Sequence, residues 1–171
     1  MKSGPTYNVQ FRRKRTQKTD YKKRLSSLKS EKNRFVVRLS NKLVRAQVVD
    51  YKTQGDVCLA SVNSNDLKKI YSWKYSLNTT PAIYLTALML CDKAKKIGID
   101  EVIFDTGLKT YKPKSKIYAA LKAIADSNLK CAYDKKAFPL DERIEGKHID
   151  SHLKNNITKD FNEIKSKILK N

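Results

Sequence analysis

A stretch near the N-terminus concentrates side chains that bind phosphate. "YNVQFRRKRTQKTDYKKRL" (residues 7–25) has Asp20 as its single acid among a series of cations, namely Arg12, Arg13, Lys14, Arg15, Lys18, Lys22, Lys23 and Arg24. Aromatic rings lie between the charges, at Tyr7, Phe11 and Tyr21. Cations neutralise phosphates, and aromatic rings stack on exposed bases. Basicity alone leaves four alternatives: a nuclear address, a disordered tail, a membrane-surface segment or an arm that holds nucleic acid.

A second basic segment, "LKTYKPKSK" (residues 108–116), indicates the same chemistry. Its lysines occur without an acid and surround Tyr111; they are Lys109, Lys112, Lys114 and Lys116. We predict that the segment leads into a helix starting at Ser115, where free amides and the positive end of the helix favour a phosphate. A solvated lysine loop is the alternative. Clustering with the N-terminal run favours RNA contact.

The residues that might do catalysis or hold a metal form weaker patterns. "HIDSH" places His148 and His152 at zinc-ligand spacing, but Ile149 stands where a general-base glutamate should follow, and no third ligand is near in sequence. The sequence contains no GxSxG, P-loop or GxGxxG pattern. We therefore predict two surface histidines, with no metal, cofactor or small-molecule substrate.

Composition defines the setting of these segments. The chain has 171 residues, 37 Lys+Arg against 17 Asp+Glu, a formal charge of +20 and 40% apolar residues, which indicates a foldable domain with a surface that attracts polyanions. Residues 1–32 alone hold 11 basic and 2 acidic residues, a net charge of +9 (11 − 2). The N-terminal sequence lacks the apolar run of a signal peptide, and the apolar stretch at residues 82–91 is too short to cross a bilayer. Three unpaired cysteines suit a reduced, cytoplasmic protein.

Period-two alternation predicts an antiparallel meander of three strands over residues 34–40, 43–51 and 56–63. The side chains that share its apolar face are Phe35, Val37, Leu39, Val44, Ala46 and Val48. The other face is wetter and carries Arg38 and Arg45, which we predict to contact RNA.

Helical spacing fills the rest of the chain. Residues 1–18 form a predicted extended arm, and Thr19 or Asp20 caps a helix whose apolar edge, at Tyr21, Leu25 and Leu28, is predicted to anchor that arm. A clear helix runs from a cap at Thr80 through Pro81 to Gly98. A fourth strand (101–105), a helix (115–128), a possible short strand (131–133), a charged turn or short helix (141–146) and a tail helix from residue 149 follow. The tail helix has an apolar stripe at Leu153, Ile157, Phe161, Ile164 and Ile168.

These elements predict an α/β fold of order βββαβα, in which the helical crossover sets the fourth strand parallel to a neighbour. We divide the chain into a basic arm and first helix (1–32), an α/β core that binds RNA (33–137), and a C-terminal turn and helical tail (138–171). The sheet resembles the ribonuclease-H-like arrangement, so a two-metal nuclease is the rival hypothesis. The first strand carries Arg34 and Arg38 where such an enzyme needs an acid, and Asp50 and Asp105 end strands, where aspartates are common turn residues.

An ordered series of short matches resembles a known family. The longer ones are "GPTY" (4–7), "FRRKR" (11–15), "KTDY" (18–21), "SNK" (40–42), "PAIYLT" (81–86), "AALK" (119–122) and "GKHI" (146–149), with single matches such as Gln47, Asp56, Trp73, Asn78 and Asp105 between them. Together they are similar to the archaeal and eukaryotic type of the L-eighteen family of large-subunit ribosomal proteins. No one motif is specific, but the ordered set is.

The resemblance implies a ribonuclease-H-like sheet without catalytic acids, a non-enzymatic role and a place in the central protuberance of the large subunit. The implied partners are 5S rRNA, large-subunit rRNA and neighbouring ribosomal proteins. It further implies that the basic N-terminal segment and the hairpin of Ser40, Asn41 and Lys42 contact RNA. A generic nucleic-acid chaperone remains the third hypothesis.

The sequence departs from the family at two places. The family usually has glycine before the serine at the head of the second core helix, whereas here Lys114 precedes Ser115. This replaces a close backbone approach with a predicted lysine–phosphate contact. The tail beyond about residue 151 carries no motif of the family.

Overall fold

The sheet of this protein is mixed and four-stranded. The computed structural model describes residues 4–110, 112–153 and 156–170. Its strands are β1 (Asn33–Leu39), β2 (Val44–Asp50), β3 (Val57–Asn63) and β4 (Val102–Asp105), in the spatial order β3-β2-β1-β4. β1, β2 and β3 form the predicted antiparallel meander, and β4 lies parallel to β1, as the helical crossover requires.

Helices precede β1 in the chain, connect β3 to β4 and follow β4. They are α1 (Arg12–Arg15), α2 (Tyr21–Leu28), α3 (Asn65–Tyr71), α4 (Thr80–Lys96), α5 (Tyr118–Asp126), α6 (Asp141–Glu145), α7 (Lys147–Leu153) and α8 (Ile157–Lys170). A 3-10 turn at Lys135–Ala137 lies between α5 and α6. Among the described residues no helix combines the length and the apolar character needed to cross a membrane.

The core lies between one face of the sheet and α4. Phe35 and Val37 of β1 are fully buried, as are Ala46 and Val48 of β2, which confirms the face predicted from alternation. α4 is buried almost all round because the sheet, α5, α6 and α8 pack against it. It begins one residue earlier than predicted, with Thr79 as the N-cap, and Gly98 follows its end with a φ of 82°.

The C-terminal tail belongs to this core. The structure describes two helices there, α7 and α8, where the sequence predicted one from residue 149. Ile157, Phe161, Ile164 and Ile168 are buried on α8, whereas Leu153 at the end of α7 is 58% exposed. The Phe161 ring lies 5.4 Å from the ring of Tyr84 on α4. The apolar stripe of α8 thus packs on its own domain.

Three further predictions of secondary structure were wrong, and one helix had not been predicted. The predicted extended arm contains the helical turn α1, and α3 was not foreseen. α5 begins at Tyr118, because residues 115–117 form turns instead of the first turn of the helix. Residues 131–133 are not a strand; pairing there is limited to one bridge between Glu101 and Lys130.

Candidate nucleic-acid interface

A network of three arginines and two aspartates lies on the face of the sheet opposite α4. Arg34 on β1 is 4% exposed and contacts Asp56 at 2.6 Å and Asp105 at 3.5 Å. Arg24 of α2 reaches the other oxygen of Asp56 at 2.8 Å, and Arg38 reaches Asp105 at 3.3 Å. The network therefore joins α2, the residue before β3, both ends of β1 and the end of β4.

Asp105 is the acid on which two of these arginines converge. Burial alone would raise its pKa, but the backbone N–H of Gly107, which donates to Oδ1 at 2.6 Å, and the guanidiniums of Arg38 and Arg34 outweigh burial, so the pKa lies below its ordinary value. The carboxylate stays charged, and Gly107, Arg34 and Arg38 contact its two oxygens. It is a structural anchor, which removes it from the set of acids available to a metal-dependent nuclease.

α2 is held to the sheet by cations. Asp20 caps it, as predicted, by accepting hydrogen bonds from the amides of Lys22 and Lys23. Lys23 Nζ donates to Thr106 Oγ1 at 3.2 Å and to the Gly107 carbonyl at 3.0 Å, while Arg24 pairs with Asp56.

The predicted apolar anchor of α2 was wrong. Tyr21 is 36% and Leu25 58% exposed, and no residue of the helix is buried. Helical spacing identified an apolar edge, but its contacts are limited: Tyr21 lies 5.4 Å from the Phe11 ring of the arm, and Leu28 is half-buried.

The arm N-terminal to α2 presents its cations to solvent. Arg12, Arg13, Lys14 and Arg15 form α1, and Arg13 Nε donates to Thr19 Oγ1 at 2.8 Å. Phe11 is 73% exposed and lies 5.4 Å from the ring of Tyr21, and Tyr7 is 55% exposed. The interleaved aromatic residues of the sequence are thus available at the surface beside the charges.

A depression of about 170 Å³ separates the arm from the ends of β1 and β4. Arg13, Lys18 and Lys23 line one side, and Arg38 and Gly107 line the other. Gly107 has a φ of 66°, and a Cβ at this position would lie 2.8 Å from Cζ of Arg38. The positive φ favours glycine here, and a side chain at this position would also make the guanidinium of Arg38 shift.

The β1–β2 hairpin and the loop after β4 meet through one amide. Asn78 Nδ2 donates to the carbonyls of Ser40 at 2.7 Å and Asn41 at 3.1 Å, and its Oδ1 accepts from Lys116 Nζ at 3.2 Å. Lys42, the third residue of the hairpin, is exposed. Hairpin and loop, predicted separately as contact segments, therefore lie side by side.

The loop of residues 109–116 differs in detail from its prediction. Ser115 does not head a helix: it lies in a turn three residues before α5, which begins at Tyr118. Lys114 has a φ of 61° and donates its backbone N–H to the carbonyl of Ala137 at 2.9 Å. This left-handed φ is one that glycine adopts without strain. Tyr111 lies outside the described residues.

Most of the predicted cations have no acidic partner within residues 4–110, 112–153 and 156–170. They are Arg12, Arg13, Lys14, Arg15, Lys18, Lys22, Lys42, Arg45, Lys109, Lys112, Lys114 and Lys116. Arg24 and Arg38 differ, since each is paired with an aspartate. Arg45, on β2 directly opposite Arg38, is exposed. Val36 and Val49 on the same face are 8% exposed, so this face is less open than alternation predicted.

Several residues that shape the surface were not in the predicted site. Lys23, Arg34, Asp56, Asp105 and Asn78 hold the contact segments in place. They were omitted because their partners are distant in sequence: Asp56 is 22 residues from Arg34, and Asp105 is 71 residues from it. Among the described residues no group of three or more His, Cys, Asp or Glu side chains is arranged to hold a metal.

Comparisons with known proteins agree on one family. The family model described as "Ribosomal large subunit proteins 60S L5, and 50S L18" matches residues 5–103. The large ribosomal subunit protein uL18 of Methanococcoides burtonii is 39% identical over 170 residues, covering 99% of this chain and 98% of its own. The uL18 protein of Korarchaeum cryptofilum is 41% identical over 145 residues, covering 85% and 74%. That of Ignicoccus hospitalis is 39% identical over 172 residues, covering 99% and 84%. The chain therefore belongs to the uL18 family and is a protein of the large ribosomal subunit, not an enzyme.

Proposed function

We propose that the protein binds 5S rRNA and helps attach it to the large-subunit rRNA in the central protuberance. The observation that carries this proposal is the collection of cations without acidic partners on the arm, the hairpin and the loop after β4. In parallel strands the carboxyl ends lie at the same edge of the sheet, so the ends of β1 and β4 bring the hairpin and the loop together. A continuous surface of this sign fits a phosphate backbone.

The arm acts as the phosphate clamp. Arg12, Arg13, Lys14, Arg15 and Lys18 neutralise backbone charge, and the exposed rings of Tyr7, Phe11 and Tyr21 stack on unpaired bases. Lys22 extends the contact along α2. Arg24, Arg38 and Ser40 have partners inside the protein; they act as positioning residues that fix α2 and the hairpin.

The sheet and loops supply the second half of the surface. The hairpin and β2 contribute Asn41, Lys42 and Arg45 to this half of the surface. The loop after β4 contributes Lys109, Lys112, Lys114, Ser115 and Lys116. We further propose that the sheet is a ribonuclease-H-like variant without catalytic acids. The order β3-β2-β1-β4 with β4 parallel to β1 supports this relation, and the ion-paired Asp105 supports the lost catalysis.

Binding of 5S rRNA by the full-length protein tests the function. We expect about eight phosphate contacts, hence a log–log salt slope of roughly −6 to −7. Neutralising the arm cations (Arg12→Gln, Arg13→Gln, Lys14→Gln and Arg15→Gln), or deleting residues 1–18, should weaken binding and flatten the slope. The matched control is Lys68→Gln with Lys69→Gln, because both lysines are exposed on α3, away from the arm.

Competitor nucleic acids test the specificity for 5S rRNA. We expect tRNA and duplex DNA to bind much more weakly at the same salt concentration, because the hairpin and loop impose a shape on the contact. Equal affinity for all three would contradict the proposal and indicate a generic chaperone of nucleic acid.

A further inference from the structure

A second surface, away from the arm, combines an exposed ring with unpaired cations. It consists of Tyr133, Lys135, Lys136 and Phe138, in the segment between α5 and α6, and we call it the 133–138 patch. The segment supplies no residue to the arm–hairpin surface described above, which it adjoins at Lys114. Its residue types are those that bind single-stranded nucleic acid: cations for phosphates and a ring for a base.

The aromatic part of the patch is fixed in place. The rings of Tyr133 and Phe138 lie 5.2 Å apart at 37°, and Lys122 Nζ lies 5.5 Å from the centre of the Phe138 ring. Lys122 is itself held by Asp126 at 3.2 Å. Tyr133 nevertheless remains 45% exposed. The Tyr133 ring packs against Phe138 while part of it stays exposed, so it presents a preformed stacking surface.

The cations of the patch are positioned by the backbone. Asp134 caps the 3-10 turn Lys135–Ala137 by accepting a hydrogen bond from the Lys136 amide at 2.9 Å, which leaves the side chains of Lys135 and Lys136 exposed. Lys114 belongs to the first surface and borders the patch, because its backbone N–H donates to the carbonyl of Ala137 at 2.9 Å. In the described part of the chain none of these three ammonium groups has an acidic partner. They border an open depression of about 590 Å³ that is also lined by Lys122, Phe138 and the exposed carboxylate of Asp141.

We propose that the 133–138 patch binds a single-stranded segment of rRNA, with one base stacked on Tyr133 and the flanking phosphates at Lys135 and Lys136. Duplex RNA is recognised mainly through shape, 2′-hydroxyls and phosphates, and makes no use of an exposed ring. The ring beside the lysines therefore favours an unpaired strand. The proposal rests on the proposed function in one respect: it gives the large-subunit rRNA a contact surface separate from the one that holds 5S rRNA.

The test uses full-length protein saturated with 5S rRNA and titrated with a short labelled oligouridine. We expect the complex to bind the oligomer. Tyr133→Leu keeps an apolar side chain against Phe138 but removes stacking, so it should weaken oligomer binding by about tenfold. Lys135→Gln with Lys136→Gln should reduce the log–log salt slope for the oligomer by about 1.4, since each phosphate contact on a single strand contributes about 0.7.

Matched controls separate the patch from general basicity. Tyr51→Leu alters a tyrosine of similar exposure after β2, and Lys68→Gln with Lys69→Gln removes two exposed lysines from α3. Neither should change oligomer binding. Thermal unfolding of every variant checks that the fold is retained. Because the side chains of Lys135 and Lys136 make no internal contact in the described residues, this pair tests the patch even if Tyr133→Leu disturbs packing.

Other outcomes have distinct meanings. Oligomer binding that is blocked by 5S rRNA, or unaffected by the patch variants, overturns the proposal of a separate site while leaving 5S binding intact. Loss of 5S affinity in the patch variants also overturns it, because the patch would then belong to the first surface. If 5S rRNA shows no preference over tRNA, the proposed function fails, yet the effect of Tyr133→Leu on the free protein still tests the patch.

Discussion

The guanidinium of Arg34 is buried on the side of the protein that carries the proposed RNA surface. It is 4% exposed and divides its contacts between Asp56 and Asp105, while its Nε has no hydrogen-bond partner among the described residues. A buried charge is tolerated because partners surround it, and removing one partner costs more than forming the pair contributed. The two aspartates are therefore structural requirements of a surface whose other charged residues face solvent.

Replacing Asp105 by Asn should show this requirement. We expect a loss of about 2–3 kcal/mol in the free energy of unfolding at neutral pH, since Arg38 loses its acidic partner and Arg34 keeps one of two. Urea denaturation measures it. Asp92→Asn, which breaks an exposed pair with Lys96, is the matched control and should cost about 0.5 kcal/mol or less.

The pH dependence of Asp105 gives the same residue a second test. Its pKa in the folded protein lies below its ordinary value of 3.8, so the unfolded chain takes up the proton first as pH falls. The stabilisation is fully present above 3.8 and is lost as pH falls through the lower, folded value. The difference between wild type and Asp105→Asn should thus be constant near neutrality and narrow below 3.8. A constant difference down to the acid transition would contradict the assignment.

Lys114 carries backbone strain. Its φ of 61° is one that a residue with a side chain adopts at a cost of about 1–2 kcal/mol, whereas glycine adopts it freely but loses about 0.5–1 kcal/mol in chain entropy. Lys114→Gly should therefore raise the free energy of unfolding by roughly 0.5–1 kcal/mol while weakening RNA binding. Lys112→Gly, in the same loop without a positive φ, should remove a cation with no gain in stability. Equal stability changes in urea would contradict this account.

At the scale of elements, α2 is attached in an unusual way. It buries no side chain and is tied by Lys23 and Arg24 alone among its cations. Ionic contacts at a surface contribute little to stability, so this helix should open without unfolding the core.

Hydrogen exchange of the free protein tests this attachment. Lys23→Gln with Arg24→Gln should speed amide exchange in residues 22–28 and change the global free energy of unfolding by less than about 1 kcal/mol. Lys22→Gln, which removes a neighbouring exposed lysine, should leave exchange unchanged. Protection of α2 that survives the double substitution would show that other contacts hold it.

Elements with a regular pattern of buried residues were predictable. The alternation in β1 and β2 and the long apolar face of α4 identified them correctly, because burial repeats along each one. α3 was missed since Leu67 is its single buried residue. The start of α5 was misplaced because Ser115 is a good capping residue type, and residue type does not reveal that the backbone is still turning. The edge of α2 was visible in the sequence, but whether anything covers it depends on residues elsewhere.

The same limit applies to the site. The cations could be identified from clustering, but which of them face solvent could not, because the neutralising acids are distant in sequence. Arg24 and Arg38 were assigned to RNA contact along with their neighbours, and the fold pairs both of them internally. By contrast, the residues between Lys14 and Lys18 include no acid that could pair with either lysine.

At the scale of the whole molecule, one core extends from β1 to the C-terminal helix. Phe161 and Ile168 on α8 belong to the same buried cluster as Phe35. A core shared in this way should unfold cooperatively. Residues 1–32 carry +9 of the net charge of +20, and the other +11 (20 − 9) is spread over the loops and the exposed faces of the helices in residues 33–171.

Phe161→Ala tests the unity of that core. It should lower the free energy of unfolding by about 3–5 kcal/mol, through lost burial and the cavity left against Tyr84, and it should shift a single transition seen by all probes. Leu169→Ala, on the exposed side of α8, should change stability by about 0.5 kcal/mol or less. A variant that melts α8 alone, with the sheet transition unmoved, would contradict the shared core.

The close approach of Gly107 to Arg38 has a genetic consequence. A side chain at position 107 would displace the guanidinium, so an alanine substitution there acts on an arginine 69 positions away (107 − 38) in the sequence. Gly107 has no side chain and no charge, yet the residue type that fits there depends on the guanidinium of Arg38. Shortening Arg38 would remove the clash, but the left-handed φ at position 107 would still be strained and the pair with Asp105 would be lost, so a substitution at Arg38 does not restore the original arrangement.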